Sequence, residues 1–196
     1  NIYEYLQSTP FITELVLEKH GQTKLDFSKT SIHRLSIDLT GVEELRLNDD
    51  LEELFLLGDM SDNCQILVKD HGASLRLQLD RSLPKVLGLK DLGAIHCSNI
   101  LEIDFAQILN NYPNLRELRL WGKPGNILNF HKLSELKELI NFSTVDLFGF
   151  TAEDIPKPAD LPQLSMFWMS SLPEDAAKVA KKYYKKQQDK GLNLWI

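Results

Sequence analysis

One short phrase returns along the whole chain: apolar, two variable, apolar, one variable, apolar. Ile12, Leu15 and Leu17 make the first copy, Ile32, Leu35 and Ile37 the second, and Leu51, Leu54 and Leu56 the third. Leu77 and Leu79 carry a reduced copy. Leu92, Ile95 and Cys97 carry the next, and Leu115, Leu118 and Leu120 the cleanest. Phe142, Val145 and Leu147 follow, then Leu161, Leu164 and Met166, and Leu192 with Leu194 closes the series. Marked by their central apolar residue, the copies fall at 15, 35, 54, 77, 95, 118, 145, 164 and 192, so 18 to 28 residues apart. Each phrase fits a short strand whose alternate side chains point inward. One such strand cannot bury its apolar face alone. Stacked copies can, and the expected product is a parallel sheet backed by a continuous Leu/Ile core.

The segments between phrases change character along the chain. In the first half a second apolar phrase lies about ten residues after each marker: Leu25 with Phe27, Val42 with Leu45 and Leu47, Ile66 to Val68, Val86 with Leu87, and Ile100 with Ile103 and Phe105. Alternation over so few residues reads as strand. From about residue 106 the returns read as helix. Residues 106–112 form a short one, and residues 129–140 place Phe130, Leu133, Leu136 and Ile140 on one face. Thr151 and Asp154 have capping-box spacing. The last return starts at Ser171 as N-cap, with Pro173 in the first turn and Glu174 at the third position. It buries Ala176, Val179, Ala180 and Tyr183 and stops at Gly191.

The stretch from Asn114 to Gly122 resembles the leucine-rich-repeat consensus, and weaker copies cover nearly all of the chain. The resemblance is to a divergent leucine-rich-repeat protein, of a bacterial kind. It implies an α/β solenoid with a parallel sheet on the concave face, strand-backed early rungs (1–105) and helix-backed later rungs (106–196), all within one domain of 196 residues. It also implies that the concave sheet binds proteins, or less often glycans. The family's asparagine, three places after the last Leu, is replaced by Lys123, Phe150 and Met169 in the later copies. No asparagine ladder can form there, and the subclass stays open. The chain begins at Asn1 without Met and ends on the apolar run 192–196, which reads as part of a longer protein.

Within each phrase the variable positions are expected on the open face: Glu14 and Val16, His33, Arg34 and Ser36, Glu52, Glu53 and Phe55, Arg76 and Gln78, His96, then Arg116, Glu117 and Arg119, and Ser143, Thr144 and Asp146. The residue directly after the phrase is Trp121, Phe148, Phe167 and Trp195 in four late copies. Stacked rungs would turn these into an aromatic stripe at the edge of that face, either gripping a partner or sealing the core. With Arg116, Arg119 and Phe55 they are the expected partner-binding residues. Lys178, Lys181, Lys182, Lys185, Lys186 and Lys190 make the last helix basic, which suits a solvated C-terminal helix end.

The expected class is therefore a non-catalytic binding scaffold with a protein partner. A small-ligand or glycan module, or the substrate-recruiting arm of an enzyme whose catalytic domain lies elsewhere, is the alternative. A net charge of −6 argues against general nucleic-acid binding, which needs clustered cations. No stretch is long and apolar enough for a membrane helix. The compartment stays open, with the cytoplasm favoured. Cys64 and Cys97 have no metal-ligand spacing and read as buried thiols. No metal or cofactor set stands out among His20, His33, His71, His96 and His131. The segment from Gly122 to Gly125 lacks the Lys-Ser/Thr ending of a phosphate loop. Neighbouring carboxylates such as Glu43 with Glu44 and Glu52 with Glu53 point to opposite faces or into different environments, a poor arrangement for acid–base chemistry.

Overall fold

The computed structural model of the chain describes residues 2–61, 63–68, 75–80, 83, 89 and 91–196. Along it run α1 (Ile2–Gln7), β1 (Glu14–Leu17), β2 (Lys24–Asp26), β3 (Arg34–Asp38), β4 (Glu44–Arg46), β5 (Glu53–Leu57), β6 (Gln65–Leu67), β7 (Arg76–Leu79) and β8 (Ala94–Asp104). Then come α2 (Phe105–Asn111), β9 (Glu117–Leu128), a 3-10 helix (Phe130–Glu135), β10 (Asn141–Phe148), a 3-10 turn (Ala152–Asp154), β11 (Met166–Met169), α3 (Glu174–Gln188) and β12 (Asn193–Trp195). The architecture is α/β. One sheet holds nine strands in the order β1-β3-β5-β7-β8-β9-β10-β11-β12, every neighbour pair parallel. A second parallel sheet holds β2-β4-β6. The strands thus follow chain order across each sheet. His71 and the Val86–Leu87 phrase lie outside the described residues.

Alternation explains why these short segments pair. In β3, β5 and β7 every second residue is buried and the others face out. The inward column reads Leu15, Leu35, Leu54, Leu77, Ile95, Leu118, Phe142, Phe167 and Leu194 in register. From Leu35 to Phe167 each member is fully buried. The small sheet repeats the device with Leu25, Leu45 and Ile66.

The last three markers need correcting. Val145, Leu164 and Leu192 are not the central residues of their strands; Phe142, Phe167 and Leu194 are. The later core is aromatic, and the expected pattern looked for aliphatic residues there. The Phe142 ring packs on Phe130 and Phe167 at 6.0 and 5.6 Å between centroids, and Phe167 stacks on Tyr184 at 4.8 Å. Such ring contacts add to the area they bury. Strand register then follows the backbone hydrogen bonds to β9, which set Phe142 beside Leu118.

β8 and β9 are longer than the phrases they contain. β8 takes in the second apolar phrase, so Ile100 and Ile103 continue the large sheet rather than the small one. The pairing with β9 slips on both sides of Ile100–Gly122 and resumes at Glu102–Asn126. A Cβ at Gly122 would stand 2.0 Å from the Asp146 carbonyl oxygen, and one at Gly125 would stand 2.2 Å from that of Ile100. Glycine stands at both positions because three strands approach too closely there for a side chain.

Single side chains tie one turn to the next. Asn48 Nδ2 donates to the Ile32 carbonyl at 2.8 Å, Asn129 Nδ2 to Asp104 at 2.9 Å, Ser98 Oγ to Asp80 at 2.8 Å and Ser171 Oγ to Asp146 at 3.1 Å. The helical returns also depart from expectation. Residues 129–140 form a 3-10 helix and turns, with Leu139 rather than Ile140 buried. Ser171 is not the cap of α3: it has φ of 64° and is committed to Asp146, and Pro173 occupies the N-cap. Tyr184 takes the inward place expected of Tyr183, because its hydroxyl can donate to the Pro156 carbonyl at 3.1 Å. Thr151 and Asp154 do close a capping box.

Candidate binding face

The face of the large sheet opposite the buried column carries two outward columns. The first reads Glu14, Arg34, Glu53, Arg76, Ala94, Glu117, Asn141, Met166 and Asn193. The second reads Val16, Ser36, Phe55, Gln78, His96, Arg119, Ser143, Trp168 and Trp195. Neighbouring strands are about 4.8 Å apart, so members of one column touch.

The first column opens as an alternating charge ladder. Arg34 reaches Glu14 at 3.1 Å and Glu53 at 3.4 Å, and Arg76 reaches Glu53 at 3.0 Å. Exposed pairs of this kind contribute roughly 0–1 kcal/mol each. Their effect is to leave this end of the face near neutral. Ala94 then interrupts the ladder, and Arg76, Gly93, Ala94, Arg116, Glu117, Ile140 and Asn141 line a dent of about 220 Å³ there.

Beside the dent lies the densest polar cluster of the face. His96 and Glu117 are diagonal neighbours on β8 and β9, with Nε2 and Oε1 2.5 Å apart and both side chains 14% exposed. Arg119 Nε lies 2.9 Å from the same oxygen, near enough for an ion pair but misaligned for a hydrogen bond. Asn141 Nδ2 donates to the other oxygen at 3.4 Å. Burial pushes the His96 imidazole below its ordinary value and outweighs the pull of Glu117. Burial alone would raise the Glu117 carboxyl, but His96, Arg119 and Asn141 together hold it below its ordinary value. The arrangement is a neutral imidazole donating to an ionised carboxylate. It offers no nucleophile, and among the described residues no group of His, Cys, Asp and Glu forms a metal cage.

Where β5 and β7 end beside the longer β8 and β9, a cleft of about 410 Å³ is lined by Phe55, Leu57, Gln78, Asp80, His96, Ser98 and Trp121, with Leu56, Leu79 and Cys97 as its apolar floor. The Trp121 indole stands edge-on to His96, ring centroids 6.4 Å apart. Burial raises the Cys97 thiol to about 12, so it acts as floor and not as a nucleophile.

The expected aromatic stripe does not exist. Trp121 pairs with Val145, Phe148 with Asn126, Phe167 with Phe142, and Trp195 with Trp168, so the four rings occupy different columns. Phe167 is fully buried and belongs to the core. Phe148 is exposed at the far end of β10. Trp121 is partly exposed in the cleft wall, Trp195 is 61% exposed, and Arg119 and half-buried Phe55 stand on the outward column. Arg116 lies exposed just before β9, beside the dent. Ser143 keeps its expected place on the outward column but is covered by its neighbours, whereas Thr144, level with Leu120 and Met169, points to the core side.

Sequence reasoning missed Trp168, which is 44% exposed and lies directly opposite Trp195. The signal was present in the unbroken apolar run from Met166 to Met169. Centring the phrase on Phe167 would have turned Trp168 outward. The His96–Glu117 pair was also missed, because its members are diagonal rather than in register. Among the described residues no helix is long and apolar enough to cross a membrane. No protein family, no curated protein and no solved structure matched the chain.

Proposed function

We propose that the chain is a leucine-rich-repeat solenoid and that it works as a non-catalytic scaffold, holding a protein partner against the outward columns of the large sheet. One observation carries this reading: two half-exposed tryptophans, Trp168 and Trp195, sit side by side on the face of the large sheet opposite its core column. Large aromatic side chains at one spot of an otherwise polar surface are what protein interfaces draw their energy from. Asn141 and Ser143 on β10 and Asn193 on β12 stand in the same outward columns beside them and supply the polar surround that such a spot needs to exclude water.

The test places a photo-crosslinking amino acid at position 168, with a control at the exposed Leu67 on the small sheet. Whatever polypeptide is captured at 168 and not at 67 is then titrated against the Trp168→Ala/Trp195→Ala double variant. The double variant is expected to lose at least about 2 kcal/mol of binding while keeping its fold. Unchanged affinity, capture of a glycan alone, or equal capture at both positions would overturn the reading.

A further inference from the structure

We propose that the cleft between Phe55 and Trp121 receives a basic side chain, arginine above all, presented by the polypeptide partner. This rests on the scaffold reading above and deepens it. Among the described residues that line the cleft, Asp80 is the one with a formal charge; the others are aromatic, aliphatic or neutral. The Asp80 carboxylate is not loose: its Oδ1 accepts from Ser98 Oγ at 2.8 Å and from the Asn99 side chain, which fixes its direction. Trp121 is fixed by its edge-on contact with His96. Asp80 follows β7 and Trp121 belongs to β9, two strand spacings away, so about 10 Å separates their backbones. A planar guanidinium entering that gap can lie on the indole face and donate to the free carboxylate oxygen at once. Lysine, a compact and strongly hydrated charge, can do only one of these well. Gln78 adds a neutral amide to the floor. A net charge of −6 makes the approach of a cation favourable from a distance.

The alternating ladder explains why the basic group should enter here and not elsewhere along the face. Glu14 and Glu53 are already paired with Arg34 and Arg76, and Glu117 is taken by His96, Arg119 and Asn141. Asp80 is bound only by neutral donors in the contacts it makes with Ser98 and Asn99. Among the described residues no cationic side chain pairs with it, which leaves its charge to a partner.

The experiment uses the full chain, isotope-labelled, and the peptide acetyl-Gly-Gly-Arg-Gly-Gly-amide, with the isosteric citrulline peptide as its uncharged match. Nuclear magnetic resonance separates the indole N–H of Trp121 from those of Trp168 and Trp195. Saturable shifts are expected at the Trp121 indole and at the Gln78, His96 and Ser98 amides, with the other two indoles still. The citrulline peptide, the Asp80→Asn variant and the Trp121→Phe variant should each bind about tenfold more weakly, and Phe148→Ala should bind as the parent does. Equal binding of the two peptides, shifts confined to Trp168 and Trp195, or no effect of Asp80→Asn would overturn the proposal. So would shifts produced equally well by a neutral monosaccharide. Failure here leaves partner capture at Trp168 intact, so it is distinguishable from failure of the scaffold reading.

Discussion

At the scale of single residues, the His96–Glu117 pair shows how one hydrogen bond ties stability to pH. His96 is held below its ordinary 6.5, first by burial, so the unfolded chain takes up a proton more readily than the folded one. Its contribution is complete above about pH 6.5 and is lost as pH falls through the lower folded value. Glu117 is held below its ordinary 4.5, so its contribution is complete above that pH and is lost on further acidification. Both act in the same direction. Melting temperature should therefore fall between pH 7 and pH 5, and His96→Gln, which can still donate to Glu117, should flatten that fall. A thermal melt series across this range checks it; an unchanged slope in the variant would show that the pair is not the titrating element. The same two residues stood among the expected open-face positions, yet their partnership was hidden. A diagonal contact depends on which residues of β8 and β9 are set level, and no spacing along one strand reveals it.

At the scale of elements, the long strands β8 and β9 depend on their two glycines. Replacing Gly125 by Ala sets a Cβ against the backbone of Ile100, which can yield only by separating the strands. A loss of about 3 kcal/mol or more is expected from denaturant unfolding. Gly21→Ala is the control, since its φ of 65° strains an alanine but nothing stands within 4 Å. It should lose about 1–2 kcal/mol. Similar losses in both variants would mean that close strand approach is not what demands glycine at 125. α3 teaches the complementary point. Its existence and apolar stripe were legible from Ala176 and Ala180, but the aromatic that completes the stripe is Tyr184, selected by Phe167 and by the Pro156 carbonyl. Those partners lie in other elements.

At the scale of the whole molecule, the large sheet has two ends, and burial fades toward both. Leu15 and Leu17 in β1 and Leu194 in β12 are only partly covered, whereas the same column is fully buried from β3 to β11. Local opening should follow this gradient, because protection rises with buried apolar contact. Hydrogen exchange is expected to be slowest in β5, β8, β9 and β10 and fastest in β1 and β12. Uniform protection across the sheet would instead indicate one all-or-none unit. Fading protection near β12 also bears on function, since Trp195 stands on that strand. A partner that binds there should slow exchange in β12 most.

The sequence by itself determined the strand-forming phrases, their inward and outward faces in the first six copies, and the parallel order, because alternation is local and the leucine spacing is regular. It also gave Cys97 a buried place. Only the tertiary structure decided the phase of β10, β11 and β12, and with it the loss of the aromatic stripe and the pairing of Trp168 with Trp195. The physical reason is that a strand's phase is fixed by hydrogen bonds to its neighbour and by the rings it must pack against. Where phenylalanine replaces leucine in the core, and β9 runs on past its phrase, the chain alone offers two settings of nearly equal appeal.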